Sequence, residues 1–190
     1  MGTRTVKANR IVAALAAAVW FSLLTATSTW AQAAELDRLF ADLGDPARDD
    51  WHLVEDEIWR QWSRSGSASM DLLLERGREA MEAGAYMVAV EHLTALVDHA
   101  PDFAEGWNAR ATAYFHIGLY GPSIEDIRRT LVLEPRHFGA LAGLALILED
   151  LDRPEQALEA WLAAQAIHPH MPGIDEAIER LGRQVSGTDL

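Results

Sequence analysis

The chain has 190 residues, 49% hydrophobic and 24% charged, a balance that fits a folded domain and excludes a disordered or collagen-like chain. Sixteen basic residues against 29 acidic ones leave a formal charge of −13, which argues against nucleic acid and anionic lipid headgroups as partners. Cysteine is absent, so disulfides, thiol catalysis and a lipid-modified N-terminal cysteine are excluded.

In chain order, Arg4, Lys7 and Arg10 come before every acidic residue and lead into the apolar run Ile11–Leu24. A polar stretch follows, then the small-x-small pattern Ala31-Gln32-Ala33. This layout predicts a secretory signal peptide over residues 1–33, cut after Ala33, and a mature chain in the periplasm. The alternative is a retained helix over Ile11–Ala31, just long enough to span a bilayer. Membrane contact is expected only in that case.

Residues 34–69 read as a helical hairpin. Leu36, Leu39, Phe40 and Leu43 share one face, Gly44-Asp45-Pro46 breaks the helix, and Trp51, Val54, Ile58, Trp59 and Trp62 mark the face of a second. Ser65–Ser69 ends it. The pair is expected to be a degenerate opening unit whose tryptophans bury against the unit that follows. An aromatic binding face is the other reading.

Beyond Met70, Pro101, Pro135 and Pro169 recur at a spacing of 34 residues. They close three blocks, Met70–Phe103, Ala104–His137 and Phe138–Met171. The eighth position of each block is Gly77, Ala111 or Ala145, and the twentieth is Ala89, Ser123 or Ala157. Only small residues stand there, as two closely crossing helices require. Larger residues, including Trp107, Tyr114 and Trp161, fill the fourth, eleventh and twenty-fourth positions. Gly84 and Gly118 mark turns, and Pro122 and Pro154 mark the start of second helices.

In these small, large and turn positions together the blocks resemble the tetratricopeptide repeat. The stretches Gly106–Thr112 and Leu133–Ala140 resemble those of exported bacterial members. The resemblance implies an all-α, right-handed superhelical solenoid of three helix hairpins, with residues 172–185 as a capping helix and 186–190 as a tail. It also implies a concave groove lined by the first helix of each repeat. Its residues would be Arg78, Met81 and Glu82; Asn108, Thr112, Phe115 and His116; and Leu146, Glu149 and Asp150. In the same register Arg110 faces Asp126, so an internal ion pair is expected there. The family's carboxylate-clamp groove is not expected, since only Arg78 resembles one of its basic positions.

His168 and His170 offer two metal ligands without an evident third. These histidines, with His99 and His137, are expected as solvated turn residues, with no metal or cofactor. No phosphate-binding loop or nucleophile–base arrangement stands out. The expected function is therefore non-enzymatic: a cell-envelope adaptor or assembly factor that binds an unknown protein or peptide in the groove. A membrane-tethered scaffold and a metal- or small-ligand-binding envelope protein are the alternatives.

Overall fold

Helix-compatible spacing of apolar residues, broken only at Gly, Pro and Ser positions, leaves no segment patterned for a sheet. In the computed structural model, which describes residues 33–187, all regular elements are helices. The proposed signal segment lies outside the described residues except for Ala33, as do the last three residues of the expected tail. The chain divides into two units, Met1–Leu39 and Phe40–Leu190. Within the first, residues 33–39 are helical and Arg38 pairs with Glu35 at 2.9 Å.

The helices are α1 (33–43), α2 (Trp51–Trp62), α3 (Ala68–Glu82), α4 (Tyr86–His99), α5 (Ala104–His116), α6 (Tyr120–Leu133), α7 (Phe138–Asp150), α8 (Pro154–Ile167) and α9 (Ile174–Val185). Helices α3 to α8 pack as three successive hairpins, each against the next, and α9 closes onto α8. Close crossing explains the small positions. A Cβ on Gly77 would lie 2.6 Å from Leu93 Cγ, so any side chain there collides with the partner helix. Ala145 and Ala157 are fully buried where α7 meets α8. Ser123 fits the same kind of place because its Oγ donates to the Ala111 carbonyl at 2.7 Å, which satisfies a buried hydroxyl.

Each hairpin turns through a left-handed residue. Gly84 has φ +70° and Gly118 φ +72°, and Asp152 has φ +55° at the equivalent place in the third repeat. The turns close alike, with Ala85 N donating to Ala80 O, Leu119 N to Tyr114 O and Arg153 N to Leu148 O at 2.8–2.9 Å. These bonds satisfy helix-end carbonyls. The final cap buries Ile174, Ala177 and Leu181 with Trp161 and Ala164, an apolar face that would otherwise meet water.

Helix α2 corrects one expectation. Its tryptophans do not bury against the first repeat but lie along the turns that end the second and third. Trp62 stacks on His137 with ring centroids 4.1 Å apart, and Trp59 meets Phe138 edge-on at 5.3 Å. Trp51 stacks on His170 at 5.6 Å and contacts His168 at 5.5 Å. The physical reason is the character of the two seats. Helix α3 offers exposed Leu72, Glu75 and Glu79, whereas the later turns supply flat ring surfaces. Among the described residues, no helix is long and apolar enough to cross a membrane.

Candidate functional site

The 34-residue register stacks the first helices so that equivalent residues form rungs: Leu74, Asn108 and Ala142; Arg78, Thr112 and Leu146; Glu82, His116 and Asp150. Around these rungs the structure forms two depressions separated by what α2 already occupies.

One is a pocket of about 310 Å³ between α5 and α7. It brings together five of the expected groove residues, Asn108, Thr112, Phe115, His116 and Leu146. Its floor is apolar, from Ala111, Ile127 and Ile147 of three helices. Glycine makes the room. Gly143 lines the wall, and a Cβ there would sit 3.7 Å from Ile127, in ordinary contact. Thr112 Oγ1 is turned back onto the Asn108 carbonyl at 3.1 Å. Leu146 is 43% exposed at the mouth, where an incoming apolar group would cover it.

The second depression is open and lined by Ser63, Asp71, Leu74, Glu75, Arg78, Glu79 and Glu82. Arg78 and Glu82 therefore stand apart from the pocket. Met81 packs against the core of the first repeat. Glu149 is held by Trp161 Nε1 at 2.7 Å and Arg180 at 2.6 Å, and Asp150 accepts from the Tyr120 hydroxyl at 2.7 Å. That hydrogen bond to a carboxylate raises the Tyr120 pKa above its ordinary value. These two acids brace the third repeat and do not line the pocket.

Between the depressions lies a buried carboxylate that the sequence did not point out. Glu105 is 3% exposed. It accepts from Arg78 Nη2 at 2.6 Å, Asn108 Nδ2 at 3.1 Å and His137 Nε2 at 3.0 Å. The His137 tautomer follows from the other side of its ring, where Nδ1 accepts from Ala140 N at 3.1 Å and caps α7. The proton is on Nε2, aimed at Glu105. Arg78 also donates to Ser63 Oγ at 2.9 Å, just past the end of α2. Two groove candidates, Arg78 and Asn108, thus belong to the seat of α2. A helix-start glutamate in one repeat and a turn histidine one repeat later were the available signals.

The histidines also need correction. His137 and His168 are fully buried, not solvated, because α2 covers the turns that hold them. Both His168 nitrogens lack a hydrogen-bond partner among the described residues, and Glu55 of α2 is 3.6 Å away, beyond hydrogen-bond reach. Burial lowers the His168 pKa below the usual 6.5, Glu55 opposes that shift, and nearby His170 adds to it. His170 Nε2 instead donates to the Asp45 carbonyl at 2.8 Å. Among the described residues, no group of three or more His, Asp or Glu side chains is placed to hold a metal ion. Arg110 and Asp126 are brought together as a fork, Nε to Oδ2 at 2.7 Å and Nη2 to Oδ1 at 2.8 Å. Arg110 Nη1 also reaches Thr94 Oγ1 at 3.2 Å, tying the second repeat to the first.

No family model matches the sequence. A TPR repeat-containing protein of Rhizobium etli is 37% identical over 155 residues, 80% of this chain and 75% of the relative. Among solved structures, the first TPR of Spaghetti (RPAP3) bound to an HSP90 peptide superposes with a TM-score of 0.60 at 18% identity. That match covers 63% of this chain and 95% of the other. The Sgt2 TPR domain from Aspergillus fumigatus gives a TM-score of 0.60 at 22% identity, over 65% and 83% of the two chains. With repeat register, fold and the Rhizobium relative in agreement, the chain belongs to the tetratricopeptide repeat family.

Proposed function

We propose that this protein is a non-catalytic interaction module of the cell envelope, which binds a peptide segment of a partner protein at the concave pocket between α5 and α7. The observation that carries this reading is the pocket itself. It is about 310 Å³, apolar at the floor, with exposed His116 as a polar group in its lining, and open to solvent. Those dimensions suit one or two side chains of a bound segment, with that polar group orienting its backbone. A solved structure of the same fold holds an HSP90 peptide, which supports a peptide as the class of ligand. The signal-like segment Arg4–Ala33 supports export to the periplasm, with the adaptor or assembly role acting there.

Affinity capture from periplasmic extract tests the reading, using the mature chain beside Gly143→Leu, which fills the pocket. The expected result is a partner recovered by the first and lost from the second. An identical set of captured proteins would sink it. Mass spectrometry of the mature N-terminus tests export: a chain starting at Ala34 is expected, and one retaining residues 1–33 would favour the tethered scaffold.

A further inference from the structure

The two depressions lie on one face, and their chemistry differs. Leu74, Arg78 and Glu82 of the open depression are the same rungs as Asn108, Thr112 and His116 of the pocket, one repeat earlier. What the earlier rung adds is charge. Glu75, Glu79 and Glu82 line the open depression, all three exposed and none engaged by a basic side chain among the described residues. Arg78, the basic residue that lines the depression with them, is already committed to buried Glu105 at 2.6 Å. The whole chain carries −13 and cannot offset them at long range.

We infer that the occupant of the groove is a basic peptide segment with an apolar anchor. One aliphatic or aromatic side chain sits in the α5–α7 pocket, and arginine or lysine side chains reach the α3 carboxylates. The inference rests on the pocket reading above and adds the chemistry of the partner. Spacing sets its register. Adjacent helices are about 8–10 Å apart, so the pocket and the α3 row are separated by roughly three to five residues of extended chain at about 3.3 Å each. The bound segment runs beside α2, whose ring Trp59 abuts Gly139 at the pocket edge. Its path therefore continues an interface that the protein already forms within itself. The two parts divide the recognition. The pocket supplies most of the affinity by burying apolar area, while the carboxylates select the sign of the partner's charge and speed its approach.

The test uses two labelled twelve-residue peptides, each with one leucine, flanked three to five positions away by three arginines in one and three glutamates in the other. Fluorescence anisotropy is read on the wild type, on Gly143→Leu, and on the triple variant Glu75→Gln, Glu79→Gln, Glu82→Gln. Circular dichroism melts establish that both variants are folded. The arginine peptide is expected to bind the wild type at least tenfold more tightly than the glutamate peptide. Its binding is expected to disappear in Gly143→Leu and to weaken about tenfold in the triple variant, the size expected for three screened surface pairs. It is also expected to fall steeply as salt rises toward 0.5 M. If both peptides bind equally and both are lost in Gly143→Leu, the pocket stands as a peptide site and the basic partner is overturned. If the arginine peptide binds Gly143→Leu as well as wild type, the anchor is overturned and the pocket reading falls with it. Failure of the arginine peptide to bind the wild type also overturns the inference, leaving the pocket to be judged by the capture experiment.

Discussion

His137 shows how much a single side chain settles. One nitrogen caps α7 by accepting from Ala140 N, the other donates to buried Glu105, and the ring face carries Trp62. Replacing it with alanine removes a cap worth about 1 kcal/mol and a hydrogen bond to a charged group worth about 1.5–3 kcal/mol. His137→Ala is therefore expected to lower unfolding stability by about 2–4 kcal/mol in urea titration, and a loss below about 1 kcal/mol would refute this account of the network. Asp152 gives a change of opposite sign. Its two counterparts at this left-handed turn position are Gly84 and Gly118, whereas Asp152 bears a Cβ at φ +55°. Asp152→Gly should stabilise by about 0.5–1 kcal/mol, the left-handed strain exceeding the entropy that glycine gains in the unfolded chain. Gly77 tolerates no such exchange. Gly77→Ala would drive a methyl to 2.6 Å from Leu93 and should cost about 1–3 kcal/mol by overpacking, read in the same titration. The collision at Gly77 was legible from the repeat, because small residues at a fixed phase imply crossing helices. The role of His137 was not, since a turn histidine in a sequence carries no mark of what will cover it.

Among the elements, α3 to α9 follow directly from periodicity, because each buries a continuous apolar face against its sequence neighbour. Helix α2 has an equally clear face through Trp51, Val54, Ile58, Trp59 and Trp62, yet its seat lies more than 70 residues away at the turns of later repeats. Periodicity reports that a face is buried and not what buries it. The mismatch bears on two of the groove candidates. Arg78 and Asn108 occupy the groove phase but turn their polar atoms to Glu105, which supports α2, and the groove stays open on either side of that seat. Trp62 joins α2 to this network, stacked on His137 and 8% exposed. Its Nε1 has no hydrogen-bond partner among the described residues, so the ring contributes there by area and stacking. Trp62→Phe should then be far milder than Trp62→Ala, for which the expected loss is about 3–5 kcal/mol. Equal losses in guanidinium titrations of the two variants would place the importance of Trp62 in its indole nitrogen instead.

For the folded Phe40–Leu190 unit, α2 changes the kind of cooperativity available. A repeat stack held only by neighbours behaves as a one-dimensional array, each unit coupled to the next. Here one helix touches the turns of two successive repeats, and the second of its contacts contains a buried histidine. His168 is enclosed by Trp51, Phe138, Glu55 and His170, and burial holds its pKa below 6.5 despite the opposing Glu55. The folded protein therefore keeps His168 neutral over a range in which the unfolded chain binds a proton. Stability associated with the neutral ring is fully present above pH 6.5 and is lost as pH falls from there toward the folded pKa, with a slope of at most about 1.4 kcal/mol per pH unit for one proton. The chain contains six other histidines, so the decisive measurement is a difference. His168→Leu replaces a buried ring with two unpartnered nitrogens by an apolar side chain, and should leave stability at pH 7.5 unchanged or raised. Between pH 7.5 and 5.5 the wild-type urea midpoint should fall more than that of His168→Leu, and tryptophan emission should shift red at the same pH as Trp51 loses its packed partner. Parallel midpoints for the two proteins across that range would show that the closure of α2 over the third repeat is not sensitive to protonation of His168.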